Sequence, residues 1–123
     1  MGFFNLFSGN SSKESSSFDW LLLHTISQID SIVEVSDTKT QLIFKHSTRC
    51  GISSGVIKKF EKKFEDKNKQ VDFYYLDLIA NRDISNTISE RFDTAHQSPQ
   101  VLIVKNGKVI AHASHYDILS LDF

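Results

Sequence analysis

The sequence predicts an α/β protein: a mixed β-sheet with helices on both faces, in the order β-α-β-α-β-β-α. Three observations carry that expectation. Thr40 to Lys45 is a short continuous run with β-branched and aromatic members between polar turns, the pattern of a central strand buried on both faces. After it, Ile52, Val56, Phe60 and Phe64 recur at near-fourfold spacing, which places one face of a helix on a sheet. Near the end, Ser98 to Lys105 and Lys108 to Ala113 flank Asn106-Gly107, a strong hairpin signal.

The elements follow in order. Residues 1–17 read as a flexible tail, because the serine-rich stretch 8–17 buries too little apolar surface to offset its ordering entropy. Phe3, Phe4, Leu6 and Phe7 ahead of it are either a docking segment or a tail without a role. The folded domain is expected over 18–123. Trp20 to Leu23 is a short edge strand or a packed lead-in, and Ser27 to Glu34 supplies one or two helical turns with Ile29, Ile32 and Val33 as its stripe. Ser27 and Asp30 match the start of a capping box loosely. Val71 to Asp77 is a second strand, and Asp83 to Phe92 a second helix on Ile84, Ile88 and Phe92. Tyr116 to Leu121 closes the chain as a short helical piece. The first strand–helix–strand unit calls for a parallel crossover, and the hairpin adds an antiparallel edge.

Size and composition bound the function. A chain of 123 residues can bury one core without staples. With 40% hydrophobic residues, 24% charged and a net charge of −1, it offers no electrostatic case for nucleic acid. No apolar run approaches the roughly 18 residues that span a bilayer, so no membrane partner is expected and a cytoplasmic location is. A single cysteine excludes an internal disulfide framework and fits a reducing compartment. The lysines at 58, 59, 62, 63 and 67 alternate with Glu61, Glu65 and Asp66, as on a solvated helix face with i,i+4 pairs or a basic rim.

That cysteine, Cys50, stands between the central strand and the first long helix. A lone cysteine is most often a small buried hydrophobe. At the first turn of a helix, however, unpaired backbone N–H groups and the helix dipole favour thiolate over thiol, the form that attacks disulfides. Arg49 adds a positive charge beside it. Cys50-Gly51-Ile52-Ser53 is a C-x-x-C spacing with serine in place of the second sulfur. Any disulfide Cys50 makes is therefore intermolecular, and the Ser53 hydroxyl, one turn on, is placed to donate to the thiolate.

With Pro99, the only proline, opening the strand before the hairpin, the arrangement is similar to the thioredoxin fold. That resemblance implies a cis Ser98–Pro99 bond facing Cys50, with the Ser98 backbone able to pair with an extended substrate. More narrowly, Phe44 to Ser53, Tyr75-Leu76-Asp77, His96 to Gln100, Asn106-Gly107-Lys108 and His112 to His115 resemble the YtxJ-like proteins of the bacillithiol system, over about residues 18–120. The resemblance implies a monothiol bacilliredoxin, a thiol–disulfide oxidoreductase that removes a low-molecular-weight thiol of bacillithiol type from protein mixed disulfides. Cys50 is then the nucleophile, Ser98 and Pro99 position the substrate, and Arg49, Ser53 and Gly51 tune the thiolate. His46 is a candidate proton donor to the leaving thiol, or else a polar turn residue. His96, His112 and His115 could approach the same region. Many relatives carry proline where Gly51 stands, so the helix start is looser here. The expected partners are S-thiolated client proteins and the small thiol or a reductase, the thiol serving as co-substrate. No tightly bound cofactor, no metal and a monomer are expected.

Two other readings stand beside this one. Cys50-Gly51-Ile52-Ser53 is close to the Cys-Gly-Phe-Ser of monothiol glutaredoxins, which hold a [2Fe–2S] cluster between protomers. That pattern wants Gly-Gly-x-Asp after the hairpin, where this chain has Ala113-Ser114-His115. The third reading is a binding module without turnover, with the phenylalanine-rich tail as its docking piece.

Overall fold

The computed structural model describes residues 18–48, 51–67 and 69–123. The expected tail, Arg49 and Cys50 lie outside the described residues. Five strands form one sheet in the order β1-β3-β2-β4-β5: β1 Trp20–Leu22, β2 Thr40–His46, β3 Val71–Asp77, β4 Gln100–Lys105 and β5 Lys108–Ser114. β1 and β2 each run parallel to β3, while β4 lies antiparallel to β2 and β5 antiparallel to β4. The helices are α1 Ser27–Val35, α2 Gly51–Phe64 and α3 Arg82–Arg91, with 3-10 turns at Glu65–Lys67 and His115–Ser120.

The mixed sheet covered on both faces matches the expected class. Alternation along β2 divides the core. Leu42 and Phe44 pack with Val56, Phe60 and Phe64 of α2 and with Ile118. Ile43 packs on the other face with Ile29 and Ile32 of α1 and Ile84 and Ile88 of α3. Phe44 and Phe60 meet edge-on at 5.3 Å, with Trp20 against both rings.

Several elements depart from the sequence reading. An extra β-α unit precedes the expected order: of the two forms expected for Trp20 to Leu23, the edge strand is the one found, paired with β3, and the helix expected over Ser27 to Glu34 runs on to Val35. No capping box forms at Ser27. The Gln28 side chain does that work, its Oε1 accepting from the backbone N–H groups of His24 (2.8 Å) and Thr25 (2.9 Å). The closing helical piece is 3-10 and begins at His115. On the charged face of α2 and the 3-10 turn after it, Lys63 and Lys67 donate to the carbonyls of Leu119 and Phe123, and Glu61 accepts from the Trp20 indole at 2.6 Å. These side chains tie down residues 119–123 and β1, while Lys58, Lys59 and Lys62 are exposed, as on the solvated face expected.

The hairpin forms as expected. Asn106 (φ 53°) and Gly107 (φ 76°) both take positive φ, as a tight two-residue turn on a twisted ribbon requires. Ser36, just past α1, holds the turn: its carbonyl accepts from Asn106 N–H at 2.9 Å and its hydroxyl from Gly107 N–H at 2.8 Å. The ladder shifts register between Ile103 and Val104, leaving Ile110 outside it and exposed.

Candidate functional site

α2 begins at Gly51, directly after the sole cysteine. Its buried stripe is Ser53, Val56, Phe60 and Phe64. Ile52, expected on that stripe, is exposed instead. The physical reason is the 3.6-residue repeat: the face defined by Val56, Phe60 and Phe64 continues back to 53 rather than 52. The consequence is chemical. The first turn of α2 points a hydroxyl, not an alkyl group, into the protein.

Ser53 is wholly buried, and its Oγ lies 2.7 Å from His46 Nδ1 and 3.2 Å from the N–H of Ser47, which donates to it. His46 is not a turn residue: it ends β2, nearly buried, with its ring 5.4 Å from that of Tyr75. Burial lowers its pKa, opposed by the carboxylate of Asp77, its neighbour across the β2–β3 ladder. A neutral imidazole is therefore the resting form at neutral pH, and His46 faces Ser53 as a hydrogen-bonding ring rather than as an acid.

On the far side of β2, the loop between α3 and β4 brings Ser98 and Pro99 to the start of β4. The Ser98–Pro99 peptide is cis, and Pro99 is buried. The Pro99 carbonyl accepts from His115 N–H at 3.1 Å, so the start of the closing 3-10 turn fastens the proline. Ser98 Oγ is buried and has no hydrogen-bond partner among the described residues. Beside this loop lies an open cavity of about 350 Å³, with Gln97 and Gln100 on one wall and His112, Ser114 and Asp117 on the other. Of the three further histidines, His112 lines that cavity, His115 holds Pro99 through its backbone, and His96 turns inward to Lys45. Gly51 opens α2 with nothing within 4 Å of where a Cβ would stand.

Sequence reasoning passed over Lys45. It stands in the run read as continuously apolar and is fully buried, with its pKa pushed down to about 8 by that burial. The signal was present: a lysine inside an otherwise apolar central strand needs an explanation.

A five-stranded mixed sheet with a cysteine before the first long helix and a cis-proline opposite the central strand defines a thioredoxin-fold protein. Solved thioredoxins superpose on it: that of Trypanosoma brucei brucei with a TM-score of 0.68 at 17% identity, covering 88% of each chain. The thioredoxin of Malassezia sympodialis gives 0.69 at 18%, covering 90% of this chain and 91% of its own. At those identities the likeness shows the fold alone. An oxidoreductase with a thioredoxin fold is nearer in sequence, at 31% identity and a TM-score of 0.72, covering 81% of this chain and 87% of that one. The family model of the monothiol bacilliredoxin BrxC matches residues 22–122, and the chain belongs to that family. Its function is therefore thiol–disulfide redox chemistry with thiols or thiolated proteins as partners. Among the described residues no helix is long and apolar enough to cross a membrane.

Proposed function

We propose that this protein removes a low-molecular-weight thiol of bacillithiol type from protein mixed disulfides through Cys50. The observation that carries the reading is the start of α2 at Gly51, directly after the only sulfur nucleophile in the chain, with buried Ser53 of its first turn bonded to His46 at the end of β2. The Cys50 thiolate attacks the small-thiol sulfur of the mixed disulfide. A new S–S bond forms to Cys50, the old one breaks, and the client leaves as a thiolate that takes a proton from solvent. A second small thiolate then attacks the adduct, releasing the small-molecule disulfide and restoring the Cys50 thiolate. No second cysteine in the chain competes for the adduct.

Ser53 and His46 give this scheme a proton inventory. The hydroxyl has one proton and already accepts from Ser47 N–H. When His46 Nδ1 carries a proton, it donates to Ser53 Oγ and frees the hydroxyl proton for the sulfur. When Nδ1 is bare, the hydroxyl donates to it instead. Ser98 and Pro99 present the edge on which an extended client backbone would lie.

The test is intact-mass analysis after incubation with a protein carrying a bacillithiol mixed disulfide. The wild type should gain the mass of the small thiol as the client loses it, and Cys50→Ala should gain none. A wild type that stays unmodified while the client keeps its cap would falsify the reading.

A further inference from the structure

We propose that Lys45 is a positioning residue for substrate, holding the loop that carries Ser98 and Pro99 in place through His96. The inference rests on the exchange function above and assigns its client-binding edge a buried support.

Lys45 lies on the face of β2 opposite to His46, and its side chain runs over α3. Its three ammonium protons meet three acceptors: the Ser85 carbonyl at 3.3 Å, Ser89 Oγ at 3.4 Å and His96 Nδ1 at 3.4 Å. All three are neutral, and no carboxylate pairs with Lys45 among the described residues. Ser85 and Ser89 sit one turn apart on α3, while His96 belongs to the loop. One buried side chain thus ties the central strand to a helix and to the segment before the cis peptide. Because His96 Nδ1 accepts from Lys45, and Ser85 Oγ lies 3.2 Å from the same atom, the ring proton sits on the outward Nε2. The nearby charges are Lys45 and Arg82, and both disfavour a charged His96.

A second clasp reaches the same loop from the next strand. Gln100 faces Lys45 across the β2–β4 ladder. Its Nε2 donates to the Ala95 carbonyl at 2.9 Å and its Oε1 accepts from Gln97 N–H at 3.4 Å. Positions 45 and 100, a cross-strand pair, therefore both grip residues 95–97. A buried ammonium without a counter-ion does not favour the fold, since an apolar side chain of like length avoids its desolvation. What Lys45 contributes that methionine cannot is the set of directed bonds to α3 and the loop.

The experiment compares wild type, Lys45→Met and His96→Ala. Three measurements are made: amide hydrogen exchange at residues 95–98, KM and kcat for release of a small thiol from a client mixed disulfide, and the alkylation rate of Cys50 by iodoacetamide. Both variants should show faster amide exchange and a KM raised about tenfold, the size of one hydrogen bond to a charged group. Their kcat and alkylation rate should stay near wild type, and Lys45→Met should melt no lower than wild type. His96→Ala, altering an exposed loop residue, keeps the test open should Lys45→Met fold poorly. Unchanged amide exchange and KM in both variants would overturn the proposal, as would a loss seen only in kcat with slowed alkylation, which would place the effect at the sulfur. If the wild type itself transfers no thiol, the exchange function fails, and amide exchange still decides whether Lys45 holds the loop.

Discussion

Replacing Ser53 with alanine removes one oxygen from the first turn of α2 and tests the inward-facing polar pair directly. The site is fully buried, so water cannot simply take the place of the hydroxyl. His46 Nδ1 loses its 2.7 Å partner on a ring that is only 6% exposed. Leaving such a group unsatisfied costs about 1–3 kcal/mol. The Ser47 N–H, on a half-buried residue, can turn to solvent and adds little. The expected loss is about 2 kcal/mol, or roughly 8 °C in melting temperature for a domain of this size. Urea unfolding of Ser53→Ala, His46→Phe and the double variant closes a thermodynamic cycle, in which the pair should couple by about 1 kcal/mol or more. A Ser53→Ala loss below about 0.5 kcal/mol, or a cycle additive within about 0.5 kcal/mol, would show that the two side chains do not depend on each other.

Three further outcomes follow from the same structure. His46 and His96 both have pKa values lowered by burial, so the unfolded chain binds protons more readily than the fold does. The stability they contribute is present above an unfolded value of about 6.5 and is lost as pH falls through their lower folded values, so urea midpoints should drop over that range and drop less in His46→Phe. Lys45, held near 8 in the fold against 10.5 ordinarily, has the same sign at higher pH: wild-type stability should rise as pH climbs from about 8, and a Lys45→Met chain that tracks this rise would refute the assignment. Gly107→Ala places a side chain at φ 76°, where backbone sterics rather than the Val33 contact at 3.7 Å are costly, and chemical denaturation should register a loss of about 1–2 kcal/mol.

Much of the architecture was legible because it rests on local chemistry. The Asn106-Gly107 turn, the two-sided burial of β2 and the apolar stripe of α2 each follow from a few neighbouring side chains. What the sequence left open needed a partner distant in the chain. Trp20–Leu22 is a strand rather than a packed lead-in because β3 offers it an edge, and α1 is held by Ile29 and Ile32 meeting Ile43 and Ile88 across the core. The choice of Ser53 over Ile52 as the inward residue depends on the rotation of α2 about its axis, which the packing of Phe60 against Phe44 fixes.

By itself the sequence determined that there is a single sulfur nucleophile, with a serine three residues on and a single proline before the hairpin, so no disulfide can close within the chain. Only the tertiary structure decided the surroundings. It set His46 against Ser53 and Lys45 against His96, on opposite faces of one strand. Successive residues of β2 point to opposite sides of the sheet, so adjacent letters in the chain serve two separate networks, and which helix or loop each one meets is fixed by packing.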